Sequence, residues 1–276
     1  MSTANLFCRV VVCGDTVEVY QYKNGIKVGF ERDYEIVKEQ TAREQKDDDN
    51  KTDSKRLDNL LRARQNVRRI IWCNQGQYTK FLTLTYAKSV LDQKKVKHDI
   101  TMFVKAMRRL GYDMKYLYVL EHQKERGLKE DNAGSLHVHM VVFIDKFIPI
   151  NDIKRCWKHG TFDINKIENV RNLAAYISKY ITKETVADFG CRCYSCSLGL
   201  DRPREERFYL EGYSDTTYNG LHPNDVLQAL NVTYKKQMRH DFLDQDGVAR
   251  TQVVNYYQGH WKVGDPIVEA RDYEEI

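Results

Sequence analysis

Leu136-His137-Val138-His139-Met140-Val141-Val142-Phe143-Ile144 is the stretch on which the fold turns. It is rich in β-branched and aliphatic residues and contains neither Gly nor Pro, so it reads as a strand. A polar loop with Gly127 and Gly134 precedes it, and Tyr116 to Glu121 before that reads as another strand. Two strands joined by such a loop pair most simply antiparallel. Upstream, Phe81-Leu82-Thr83-Leu84-Thr85-Tyr86 is a further short strand, with its threonines on one face and its leucines on the other. Between these strands Ile100, Phe103, Val104, Met107 and Leu110 form the apolar stripe of a helix over about 92–110, stopped by Gly111. Asp152 to Trp157 begins another helical piece, and Asn169 to Glu184 is an amphipathic helix. The order of elements predicts an α+β fold, an antiparallel sheet with helices on one face.

Outside this core the reading is coarser. Residues 7–30 alternate around Cys13-Gly14-Asp15-Thr16 as a β-hairpin. The polar stretch 41–58 reads as an exposed loop, followed by a helix over 56–72 with Leu57, Leu60, Leu61, Val67 and Ile71 at helical spacing. Cys191 to Leu198 reads as a strand and Gly199 to Pro203 as a turn; the Tyr-rich tail gives no clear pattern. The expected organisation is an N-terminal hairpin, loop and helix over 1–75, a core over 76–205, and a C-terminal extension over 206–276.

The 276 residues are 42% hydrophobic with 4 prolines, enough for a packed core. No run of about 18 apolar residues occurs, which argues against a helical membrane span. The N-terminus shows no basic segment followed by a long apolar stretch, so the expected location is the cytoplasm, in a bacterial host cell. Seven cysteines, an odd number, are then expected as reduced thiols. Residues 201–276 carry 9 Lys and Arg against 14 Asp and Glu, within a chain of net charge +5. A basic body with an acidic end is compatible with a polyanionic partner.

His137-Val138-His139 sends both imidazoles to one face of its strand, because side chains alternate. Glu121 ends the preceding strand and lies within reach of that face through the connecting loop. A His, His, Glu set suits Mn²⁺ or Mg²⁺ acting as a Lewis acid on phosphate oxygens. The histidine-triad nucleotide hydrolases open similarly but need a further histidine at position 141, where this chain has Val141. Tyr176-Ile177-Ser178-Lys179-Tyr180-Ile181-Thr182-Lys183 repeats a Tyr-x-x-Lys unit, placing Tyr176 and Tyr180 on one helix face. A phenol of ordinary pKa about 10 is a poor nucleophile unless the phosphodiester is polarised and the developing charge met by a cation. Lys179 and Lys183 are the candidate cations. Each feature alone is also consistent with ordinary packing.

In chain order, Phe81-Leu82-Thr83-Leu84-Thr85-Tyr86, Glu121 with His137-Val138-His139, and Tyr176-x-x-Lys179-Tyr180 resemble the three motifs of the HUH endonucleases that initiate rolling-circle replication. The paired tyrosines resemble the subgroup found in single-stranded DNA phages. Val17 to Tyr22, Ile153 to Gly160 and Asn172 to Tyr176 resemble initiators from plasmids and phages of Gram-positive bacteria. The resemblance spans about residues 10–205. It implies a ferredoxin-like sheet carrying the metal on its central strands, with the tyrosine helix across it. It further implies that His137, His139 and Glu121 bind Mn²⁺ or Mg²⁺, and that Tyr176 attacks single-stranded origin DNA to form a 5′-phosphotyrosine. Tyr180 would carry the second transfer, and Thr83 and Thr85 would support that face or the DNA.

Cys191, Cys193 and Cys196 lie within six residues and invite a structural zinc reading, though strand cysteines are the preferred account. Lys105, Arg108, Arg109, Lys154, Arg155, Lys158, Arg202 and Arg204 are candidate phosphate contacts, and Trp157 and Tyr194 candidate base-stacking residues. No Gly-x-x-x-x-Gly-Lys-Ser/Thr loop is present, so a host helicase and other replication proteins are the expected partners. The alternatives are a transposase or mobilisation relaxase with the same chemistry, and a non-catalytic single-stranded DNA-binding protein on the same fold.

Overall fold

The computed structural model describes residues 4–28, 48–122, 135–166, 170–182, 194–211, 214–215, 223–243 and 249–262. The chain divides into two units, 1–46 with 203–276, and 47–202. The sequence suggested divisions at 75 and 205. Backbone pairing explains the difference, since the N-terminal hairpin shares one sheet with C-terminal strands, whereas the long helix after it belongs to the second unit. No helix among the described residues is long and apolar enough to cross a membrane.

In the first unit β1 (Ala4–Cys13) and β2 (Thr16–Val28) form the expected hairpin. Its two-residue turn uses Gly14 at φ 56°, a conformation that costs glycine little. The second unit contains α1 (Asp48–Asn74), β3 (Lys80–Leu84), α2 (Gln93–Arg109), β4 (Lys115–His122) and β5 (Leu136–Phe143). It continues with α3 (Ile150–Cys156), β6 (Phe162–Lys166), α4 (Val170–Ser178) and β7 (Tyr194–Cys196). The chain then returns to the first unit with β8 (Arg204–Glu211), β9 (Ser214–Asp215), α5 (Pro223–Gln228), β10 (Leu230–Leu243) and β11 (Ala249–Trp261). Every strand pairing is antiparallel, in a sheet ordered β10-β11-β2-β1-β8-β9 and another ordered β6-β3-β5-β4-β7. The α+β class predicted from the sequence is therefore the class observed.

The second unit packs as strand alternation dictates. Val138, Met140 and Val142 of β5, with Leu82 and Leu84 of β3 and Tyr118 and Leu120 of β4, point to one face. There they meet Val96, Ile100, Phe103, Val104 and Met107 of α2, and Ile153 and Trp157 at α3. Full burial of each large aliphatic or aromatic side chain contributes about 1.5–3 kcal/mol. Asp92 caps α2 by accepting from Lys94 N at 2.8 Å, and Gly111 at φ 82° ends it. Trp157, expected to be free for base stacking, lies in this core and donates its indole N–H to Thr85 O at 3.1 Å. Exposing it would sacrifice both contacts.

Two further expectations need correction. Residues 48–58 are helical rather than loop. Asp48 to Asn74 holds no Gly or Pro, and Asp48 and Asp49 suit the positive end of the helix dipole. Leu57 and Leu61 point outward, while Leu60, Ala63, Val67, Ile70 and Ile71 form the buried stripe. The tyrosine helix α4 ends at Ser178 rather than Glu184. Lys179 N, Tyr180 N and Ile181 N donate to carbonyls three residues back, at 3.1, 3.0 and 3.3 Å, tightening the last turn. Ser178 Oγ donates to Ala175 O, and Arg64 of α1 donates to Ile181 O at 2.8 Å, so the chain is held off the helical path.

Tyr86, just past β3, is buried and donates its hydroxyl to Asp99 Oδ2 at 3.1 Å; Lys95 Nζ lies 2.6 Å from the same oxygen. Burial, then the neighbouring Asp99 charge, pushes the Tyr86 phenol well above its ordinary value. The unfolded chain therefore releases this proton from about pH 10 while the folded chain keeps it, so stability should fall as pH rises above 10. Urea unfolding of wild type and Tyr86→Phe at pH 8, 10 and 11 checks this. The variant should start less stable and lose stability less steeply; parallel slopes would contradict the assignment.

Candidate active site

The second face of the β6-β3-β5-β4-β7 sheet carries the polar residues. Directly paired residues share a face. Thus His139 lies between Thr83 of β3 and Val119 of β4, and His137 lies opposite Glu121. His139 Nε2 is 2.9 Å from Glu121 Oε2, and its Nδ1 is 3.3 Å from Thr83 Oγ1. The imidazole is thereby oriented from both nitrogens, in the manner of metal-ligating histidines with a supporting outer partner. The His137 ring stands 6.5 Å from that of His139, centre to centre. Desolvation, reinforced by His139, lowers the His137 pKa, with Glu121 opposing, and favours the neutral imidazole a ligand requires.

The tyrosines close over this face. Tyr180 stacks on the His139 ring with centroids 3.6 Å apart and planes 15° apart. Its hydroxyl donates to that of Tyr176 at 2.6 Å, so the two oxygens meet although only Tyr176 lies in regular helix. Tyr176 is 42% exposed, hence reachable, whereas Tyr180 is half-buried. Burial, then the bond to Tyr176, raises the Tyr180 pKa well above its ordinary value, with Glu121 adding in the same direction. Lys179 Nζ lies 5.6 Å from the Tyr176 ring centre.

Phe81 was missed in the sequence reading. Its ring lies 5.3 Å from Tyr176, 6.4 Å from Tyr180 and 5.9 Å from His139, so it underpins three of the candidate residues at once. Strand alternation held the signal, because Phe81 is two residues before Thr83 and therefore on the same face. Thr85 instead bonds Thr161, Oγ to Oγ at 2.6 Å, and so braces the strand edge.

Whether these residues suit a divalent ion is a question of donor geometry. Adjacent ligands of an octahedral ion with bonds of about 2.1 Å sit about 3.0 Å apart. The 2.9 Å between His139 Nε2 and Glu121 Oε2 fits such an edge, and nitrogen with carboxylate oxygen suits Mn²⁺. His137 shares their face, although among the described residues no three His, Cys, Asp or Glu side chains converge as a ready metal cage.

Residues 79–185 match a family model for replication-associated proteins of the ORF2 type. The match runs from the approach to β3 past α4 and includes all seven candidate metal and catalytic residues. Over this span the chain is similar to replication-associated proteins, which supports a role in initiating replication. No curated protein and no solved structure matches the chain.

Other predicted residues fall elsewhere. Lys183, Cys191 and Cys193 lie outside the described residues. Cys196 is half-buried on β7, and Arg202 donates to its sulfur at 3.2 Å. Lys105, Arg108, Arg109, Lys154 and Arg155 are on α2 and α3, the helices that cover the opposite face of the sheet, so they do not line the histidine–tyrosine site.

Proposed function

We propose that the chain nicks single-stranded origin DNA and rejoins strands through a 5′-phosphotyrosine, so starting and ending rolling-circle replication. The observation that carries this reading is the meeting of two tyrosine hydroxyls beside the His139–Glu121 pair, with Tyr180 stacked on His139. Tyr176 Oη attacks the scissile phosphorus, the bond from phosphorus to the 3′-oxygen breaks, and the 5′-phosphate remains on Tyr176. The proton lost by Tyr176 balances the one gained by the departing 3′-oxygen, leaving a free 3′-hydroxyl to prime synthesis. The Tyr180 hydroxyl, as donor to Tyr176 Oη, stabilises phenolate charge there, and Lys179 adds a cation on the exposed side. Tyr180, which holds its proton harder than an ordinary phenol and is less accessible than Tyr176, is assigned the second transfer. A divalent ion held by His139, Glu121 and His137 would supply Lewis-acid polarisation of the phosphate.

Incubation with a library of single-stranded DNA labelled at either end, with Mn²⁺ and with or without chelator, tests the reading. A covalent protein adduct on the fragment bearing the new 5′ end, lost with chelator, is expected. Tight DNA binding without cleavage of any strand would reduce the site to a binding surface.

A further inference from the structure

The described strands of the C-terminal hairpin do not share the acidity of their surroundings. β10 and β11 together contain Lys235, Lys236, Arg239 and Arg250 against a single acidic residue, Asp241, which accepts from Thr251 Oγ1 at 2.6 Å. Residues 201–276 as a whole are net negative, so basic charge is concentrated on this ribbon. Among the described residues, Lys235, Lys236 and Arg239 take part in no ion pair.

Exposure is equally uneven. A strand covered on one face shows alternating burial. β10 instead is exposed continuously from Asn231 to Gln237 and again from Arg239 to Asp241, so both its faces meet solvent. It is the edge of its sheet, and β11 pairs with β2 only from Val254 to His260. The β10–β11 pairing runs on from Val253 to Ala249, opposite Arg239 to Leu243, as a two-stranded ribbon past the last β2 pairing. Lys235, Gln237 and Arg239 alternate along one face of β10, and Tyr234, Lys236 and His240 along the other.

We propose that the β10–β11 ribbon binds duplex DNA, with Lys235, Lys236 and Arg239 contacting phosphates and the ribbon lying along the major groove. A major groove about 12 Å wide admits a two-stranded β-ribbon. The side chains offered are the donors that phosphates and base edges take, with Gln237 held toward Asn255 at 3.0 Å. A single-strand platform would instead present a row of exposed aromatic rings. Tyr234 is the one exposed aromatic on these strands among the described residues. The inference rests on the reading of the chain as a DNA-acting protein, and gives it a duplex-binding surface separate from its histidines and tyrosines.

The test uses the full chain and fluorescence anisotropy with a labelled duplex of about two helical turns and its isolated single strand, across a salt series. The triple variant Lys235→Ala, Lys236→Ala, Arg239→Ala should weaken duplex binding about tenfold or more. It should also reduce the slope of log affinity against log salt by about three. A control of equal charge change on the second unit, Lys88→Ala, Lys94→Ala, Lys97→Ala, should retain wild-type duplex affinity. Unfolding midpoints of both variants should match wild type, since all six side chains are exposed. Undetectable duplex binding by wild type, equal losses in both triple variants, or single-strand affinity falling as far as duplex affinity would each overturn the proposal. Nicking is scored separately on a single strand. Its absence beside a selective loss of duplex binding would sink the nuclease reading and leave the ribbon standing.

Discussion

Tyr176→Phe is expected to reduce formation of the covalent DNA adduct by at least ~10³-fold, because it deletes the attacking oxygen. The ring stays, so its edge contact with Phe81 at 5.3 Å is kept and the site should remain folded. Only one hydroxyl–hydroxyl hydrogen bond is lost, about 0.5–1.5 kcal/mol. Tyr180→Phe should behave differently. The first adduct should still form, more slowly for want of the donated hydrogen bond, whereas transfer of the bound strand to a second site should stop. The asymmetry follows from geometry, since Tyr176 is exposed and its oxygen accepts, while Tyr180 is stacked on His139 and its proton is committed. Adduct yield from single-turnover reactions, resolved by denaturing electrophoresis, separates the two steps. Normal yield from Tyr176→Phe with none from Tyr180→Phe would reverse the order. Normal yield from the double variant would remove the tyrosines from the chemistry.

Gly160→Ala should destabilise the second unit by about 2–4 kcal/mol. A Cβ there would sit 2.3 Å from Thr85 O, 2.6 Å from Ala87 N and 2.8 Å from Tyr86 C. All three are backbone atoms, which cannot swing aside as a side chain can. The segments 85–87 and 159–161 would have to part. Thr85 N to Thr161 O at 3.0 Å and Ala87 N to His159 O at 2.9 Å would both be stretched. The crowded oxygen of Thr85 is also the acceptor of the buried Trp157 indole, so the damage reaches the core. For a unit of this size the unfolding midpoint should drop by roughly 5–15 °C by calorimetry or circular dichroism. An unchanged midpoint would mean that the two segments separate freely. Single-strand nicking at low temperature should survive, because Gly160 lies beyond the sheet edge from His139.

Local chemistry made much of this protein legible in its sequence. Period-two alternation placed His137 and His139 on one face of a strand, and the apolar stripe from Ile100 to Leu110 with its terminal glycine marked α2 to within a residue at each end. These are short-range consequences of backbone geometry, complete within a few residues. The partners of the first sheet were not legible, because a strand does not say which distant strand it will meet. β1 pairs with β8 almost two hundred residues away, and that choice reflects the total apolar area buried by Cys8, Val10, Phe208 and Val226 rather than any local pattern. The tyrosine pair divides in the same way. Spacing alone put Tyr176 and Tyr180 near each other, but it did so on a helix that in fact ends between them. Their hydroxyls meet because Arg64 of α1 holds the Ile181 carbonyl and because Phe81 and His139 present flat rings for stacking. By itself the sequence determined the chemical groups and the faces they occupy. Which of those groups touch was decided by tertiary structure, since contact depends on how separately formed elements bury their apolar faces against one another.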